Sequence, residues 1–184
     1  MTNKELIEKY PFLLPRNVWT DKVLEDYDYS FCLLKDEIPQ GWWDCFGIAL
    51  CDDLKDILER NNCLDEFRFT QCKEKYSTIR LYDNGHPNEW DNHLKAWEYI
   101  SSRTCIKCGK FPSKLRDNGW LSPWCDKCFE GDKDDLSDDF TLSEYINYNL
   151  YDNNGMKAIW IDMKPFYDKI GYKYKIEELE HKDE

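Results

Sequence analysis

The chain has 184 residues, 41% hydrophobic and 16% aromatic, which is enough apolar mass for a packed core and excludes a disordered polymer despite 34% charged residues. Acidic residues outnumber basic ones by 37 to 25, leaving a net charge of −12. That balance argues against a general nucleic-acid coat, because phosphate binding runs on Lys and Arg.

No apolar run approaches the roughly 18 residues of a membrane span. Met1 to Asn17 carries Glu5, Glu8, Pro11 and Pro15 where a signal peptide needs an apolar stretch. A cytoplasmic protein without a membrane partner is the expectation.

In chain order, Lys4 to Tyr10 predicts a short helix, ended by Pro11 and Pro15. Trp19 to Lys35, rich in Asp and Tyr without clear period, predicts a loop. Gly41 opens a longer helix in which Trp43, Phe46, Leu50, Leu54, Ile57 and Leu58 recur three or four apart. Asp52, Asp53, Asp56 and Glu59 fall on its polar side, and Asn61 and Asn62 close it. Phe67 and Phe69, then Ile79 and Leu81, alternate with polar residues and predict a hairpin with Lys73-Glu74-Lys75 at its tip. After the Asn84-Gly85 turn, Trp90, Leu94, Trp97 and Ile100 predict a second helix from about Asn88, running almost directly into Cys105.

Nine cysteines without a secretion signal make a poor disulfide framework. Cys32, Cys45, Cys51, Cys63 and Cys72 share no spacing and read as core filler. The other four differ. Cys105-Ile106-Lys107-Cys108 and Cys125-Asp126-Lys127-Cys128 enclose sixteen residues, the C-x2-C…C-x2-C pattern of a structural zinc site. Two thiolates three positions apart grip one edge of a tetrahedral ion when the chain turns sharply between them, and Gly109 permits that turn. Asp117-Asn118-Gly119 signals a hairpin between the two pairs. Knuckle, hairpin and knuckle describe a zinc ribbon; a treble clef needs a helix after Cys128, which Gly131 and the acidic run disfavour. Four thiolates fill the coordination shell, so one structural Zn2+ is expected.

The ribbon is also the one basic stretch, with five basic residues against two acidic between 105 and 128. Lys107, Lys110, Lys114, Arg116 and Lys127, with Trp120 and Trp124, offer a nucleic-acid face. The plainer reading packs the tryptophans onto the body and leaves the lysines to solubility. Given the net charge, the plainer one is preferred.

Glu130 to Asp139 predicts an acidic linker; the ligand alternation and closing Glu of a calcium loop are missing. Thr141-Leu142-Ser143-Glu144 fits a capping box and predicts a helix to about Tyr151. Lys157 to Met163 predicts a strand, and Ile176 to Glu184 a charged helical end or tail. No internal repeat is evident. The expected fold is α+β. A helix, hairpin and helix body spans 1–104, a four-cysteine zinc ribbon 105–128, and an acidic linker with an extension packing on the body 129–184.

Weaker signals remain. His86 and His93 lie near Asp83, Glu89 and Asp91, a conceivable second metal set but more often surface residues. Asp162 and Lys164 after Ile159-Trp160-Ile161 form a D-x-K element of nuclease type, with Asp152 as partner carboxylate, though such a short motif is common by chance. Phosphate loops, dinucleotide fingerprints and hydrolase elbows do not occur, and no convincing nucleophile–base set emerges.

Two blocks together resemble a known group. One runs from Gly41-Trp42 through Cys72-Lys73-Glu74-Lys75-Tyr76 to Thr78-Ile79-Arg80-Leu81-Tyr82. The other runs from Ser102-Arg103-Thr104-Cys105 through Gly119-Trp120-Leu121-Ser122-Pro123 to Cys125 and Cys128. Over about residues 8–130 the chain resembles a family of small hypothetical proteins encoded by bacteriophages and prophages. The resemblance implies a context, the cytoplasm of a host cell, and no reaction. Within that context the expected function is non-enzymatic binding that inhibits or modulates a host protein such as a defence factor. The alternative is a nucleic-acid or nucleotide-binding accessory protein using the ribbon face, and a D-x-K nuclease is a distant third.

Overall fold

A computed structural model describes residues 1–17, 19–117, 119–131, 141–152, 155–174 and 179–180. Helix α1 (Asn3–Lys9) begins with a complete capping box, the Thr2 side chain accepting from the Glu5 N–H and the Glu5 carboxylate accepting from the Thr2 N–H. A long helical stretch follows the loop: α2 (Gln40–Trp42), a π-helical turn at Trp43–Gly47, and α3 (Ile48–Arg60). Strands β1 (Phe69–Lys75) and β2 (Thr78–Asp83) pair antiparallel, and α4 (Glu89–Ser101) packs against β2. Strands β3 (Lys114–Asp117) and β4 (Leu121–Trp124) form a second antiparallel ribbon. Toward the end come β5 (Leu142–Ser143), β6 (Tyr145–Asp152), β7 (Gly155–Asp162), α5 (Lys164–Lys169) and β8 (Leu179–Glu180). The architecture is α+β, with small two-stranded sheets and no closed barrel among the described residues.

The apolar stripe of the long helix is buried as its spacing demands: Phe46, Leu50, Leu54, Ile57 and Leu58 lie in the core. The tryptophans of α4 meet them there, with Phe46 stacked 5.9 Å from Trp97. Phe166 of α5 closes on Trp97 edge-on at 5.5 Å, and Met163, Phe166 and Tyr167 join the same buried cluster as Leu6 and Phe12. Cys32, Cys51 and Cys72 are fully buried, as filler should be, while Cys45 and Cys63 are half-buried. Burial drives the Cys32 thiol up to about 11, which leaves it protonated and inert.

Three expectations are corrected. The first hairpin turns at Tyr76-Ser77, not at Lys73-Glu74-Lys75, which are paired residues of β1. Both turn residues have positive φ, 54° and 64°, and the Glu74 carboxylate accepts from the Ser77 N–H at 2.8 Å. Ser77 is itself buried and donates its hydroxyl to Leu121 O, which ties this hairpin to β4. Second, the stretch after Thr141 is strand, not helix. β6 pairs along its length with β7, and Ile146, Tyr148, Ile159 and Ile161 turn one face toward the core. Cross-strand pairing and burial of these β-branched and aromatic residues outweigh the local capping signal. Third, Leu179–Glu180 is a strand pairing parallel with β5, not part of a helical end. The acidic run at 132–139, Asn118 of the ribbon turn, and positions 176–178 and 181–184 of the expected tail lie outside the described residues.

Candidate metal centre

The four sulfurs predicted to share a metal come together, all within 4.8 Å of one another. Cys108 Sγ and Cys125 Sγ are 3.6 Å apart, close to the roughly 3.8 Å edge of a tetrahedron with Zn–S bonds of about 2.3 Å. All four thiols are free. Among the described residues this is the one group of three or more candidate ligands placed to hold a metal. The donor set fits a single structural metal ion, with no position left open.

Local backbone chemistry builds each knuckle. In the first, Cys105 N–H donates to Lys110 O and Gly109 N–H donates back to Cys105 O, both at 3.0 Å, with Gly109 at φ +73°. In the second, Cys128 and Phe129 N–H donate to Cys125 O at 3.0 and 3.1 Å. Ile106 N–H donates to Pro123 O at 3.0 Å and so fastens the first knuckle to β4. Cys105 and Cys125 are buried, Cys128 is half-buried, and Cys108 faces solvent.

The thiols influence one another. Burial raises Cys125, but the Cys128 backbone N–H and the neighbouring thiols outweigh it and bring Cys125 down to about 7. Cys128 goes the other way, to about 12, through its hydrogen bond to Cys108. Of these two thiols Cys125 gives up its proton the more readily, and a bound cation would take the place of the protons that leave.

The first knuckle is locked to the helical body. Gly41 N–H donates to Ile106 O at 3.0 Å, and the buried Trp42 Nε1–H donates to Thr104 O at 2.9 Å. Gly41 is needed there, since a Cβ would lie 2.6 Å from Gly109 N. A flexible linker between body and ribbon is excluded by these contacts.

The other predicted groups fare differently. Arg116 turns inward and is only 3% exposed, with its guanidinium paired to Asp126 and set 5.0 Å over the Phe129 ring. It is thus not available to a nucleic-acid face. Lys107 pairs with Glu130 at 3.3 Å, and Lys114 is half-buried with an interaction of its own. Lys110, Lys127 and Trp120 are exposed, whereas Trp124 packs toward Phe129. The nuclease set is not assembled. Asp152 pairs with Gly155 at one end of the β6–β7 ribbon and Asp162 with Tyr145 at the other, seven positions or about 24 Å away. Lys164 is engaged by Glu144.

His86 and His93 belong to no group of three candidate ligands among the described residues, and both are held by carboxylates. His86 bridges Asp83 at 2.8 Å and Asp91 at 3.1 Å. His93 Nδ1 lies 2.8 Å from Asp53 Oδ2. Sequence periodicity places Asp53 on the polar side of its helix, yet it is 3% exposed. It accepts hydrogen bonds from His93 and from Trp97 Nε1 on α4, and one from Lys169 on α5 at 2.6 Å. No helix of the described residues is long and apolar enough to cross a membrane.

Comparison with protein-family models, curated proteins and solved structures yields no match to this chain. What the fold and site define is an α+β chain with a four-cysteine centre of metal-binding type clamped onto its helical body.

Proposed function

We propose that the chain is a zinc-braced, non-enzymatic binding protein of bacteriophage or prophage origin. In this reading it occupies a host protein in the cytoplasm, a defence factor being the kind of target. The observation that carries it is the closed four-cysteine cluster. With Zn2+ bound, four thiolates leave no open position for a substrate or water, so the ion acts on the fold and not in chemistry.

Two further features favour a binder. Trp19 is 91% exposed and Trp120 60%, and exposed tryptophans are the residues that anchor interfaces. The net charge of −12 steers such a surface toward basic partners, including the clefts that hold DNA. The phage context rests on the resemblance of the Gly41–Tyr82 and Ser102–Cys128 blocks alone.

A nucleic-acid role is the second reading, favoured by Trp120 standing exposed on the ribbon that carries Lys110 and Lys127. Affinity capture from nuclease-treated host lysate with zinc-loaded protein separates the two. One host protein recovered in stoichiometric amount supports the binder. Capture of nucleic acid that disappears with nuclease, with a steep salt dependence, transfers the assignment to the ribbon face. Recovery of neither overturns both.

A further inference from the structure

Beside α3, away from the cysteine centre, lies a cleft of about 500 Å3 lined by Asp53, Asp56, Glu59, Arg60, His93 and Lys169. Ligand clefts usually span roughly 300–1,000 Å3, so the size suits a small group or one side chain of a partner. Its most constrained member is His93. The Asp53 carboxylate at the floor is ionised: burial opposes this, but hydrogen bonds from His93 and Lys169 hold it below the usual aspartate range. An ionised carboxylate only accepts, so His93 Nδ1–H donates in the 2.8 Å contact. The ring cannot readily turn away. It is stacked on Trp90 at 6.4 Å and meets Phe166 edge-on at 5.2 Å.

The charges of the lining decide what fits. The two cations are already engaged, Lys169 by Asp53 and Arg60 by Glu89 at 3.0 Å. Glu59 has a loose partner in Lys55 at 3.6 Å. Asp56, one turn along from Asp53, is exposed, and its carboxylate has no ion pair or hydrogen bond among the described residues. Beside the His93 ring, the lining sets three carboxylates against the two cations Lys169 and Arg60. Acceptors therefore remain on Asp56 and Glu59, while Lys169 and Arg60 each already face a carboxylate.

We propose that this cleft is a socket for a single basic side chain, an arginine or lysine presented by a protein partner. Its N–H groups donate to Asp56 and Glu59, beside the His93 ring. The Lys169 ammonium on Asp53, at 2.6 Å, shows within the molecule how the same wall receives a cation. The assignment rests on the binding-protein reading and names one surface through which that binding occurs.

The test uses the whole zinc-loaded protein and n-butylguanidinium as probe, followed by the ring 15N–1H resonances of its three histidines. The expected result is a saturable shift at His93 without a matching one at His86. Asp56→Asn should weaken the probe about tenfold, the loss of one charge-assisted hydrogen bond. Asp56 and Glu59 are exposed, so Asp56→Asn and Glu59→Gln leave the fold in place. The proposal is overturned by a linear or absent response at His93, by equal shifts at His86, by an unchanged response in the double variant, or by inorganic phosphate binding there instead. An empty lysate capture with a saturable titration sinks the binder reading alone. A captured partner with no titration response sinks the socket alone.

Discussion

Gly41 and Cys105 are in backbone contact: a Cβ built on Gly41 would overlap the Cys105 carbonyl oxygen. The helix start and the first metal knuckle thus share one packing surface, stitched by Gly41 N–H to Ile106 O. The three nearest atoms at the overlap, from Cys105, Gly109 and Ile106, are all backbone, so they cannot step aside as a side chain would. Gly41→Ala should destabilise the protein by about 2 kcal/mol, as overpacking does, and should weaken zinc binding in the same protein. Urea unfolding with and without a chelator checks both, and a variant as stable as the parent would detach the knuckle from the body.

The exposed position of Cys108 gives a clean probe of the metal. Cys108→Ser removes little packing, so any loss reports on coordination. Zinc affinity should fall by more than the roughly 100-fold that loss of an outer-shell partner costs. After chelation, parent and variant should unfold alike.

Zinc binding should also depend on pH. The metal displaces protons from thiols, with Cys125 near 7 and Cys128 near 12, so affinity should rise with pH and fall steeply below about 7. Competition titrations against a chromogenic chelator between roughly pH 6 and 8.5 should show protons released on binding; a flat profile would argue against thiolate ligation.

Asp53 anchors three elements through one carboxylate. Asp53→Ala strands the His93 Nδ1–H, the Trp97 Nε1–H and the Lys169 ammonium, and should cost about 3 kcal/mol or more. Asp53→Asn keeps the shape and should cost less. Because the folded Asp53 is held below the ordinary aspartate range, its contribution is present above the unfolded value of about 3.9 and is lost as pH falls through the folded one.

His86 behaves oppositely. Burial lowers its proton affinity, but the hydrogen bonds to Asp91 and Asp83 outweigh that and raise it above the ordinary histidine value. Its contribution is therefore full below about 6.5 and fades as pH rises through the raised value. Urea midpoints of the parent should decline across that window more than those of His86→Gln, and parallel curves would remove His86 from the account.

The metal ligands and most of the helical core were readable from spacing, because both depend on residues close in sequence. The C-x2-C pairs need only a tight turn, and the α3 stripe needs only the period of a helix. The helical period puts Asp53 on the polar side because the residues that cover it, His93 and Trp97 on α4 and Lys169 on α5, are distant in sequence. Arg116 reads as a surface cation from the sequence because its cover, Asp126 and Phe129, comes from the second knuckle. The β6–β7 ribbon did carry a local signal that the capping box obscured. Asp152-Asn153-Asn154-Gly155, between runs rich in Tyr, Ile and Trp, is a cluster of turn-forming residues.

Metal content of the reduced, purified chain tests the central claim most directly. Elemental analysis beside a folding assay should find one zinc per chain, and stripping it should unfold the ribbon and lower stability. A reduced protein that holds no metal yet unfolds as cooperatively as the loaded one would contradict the account.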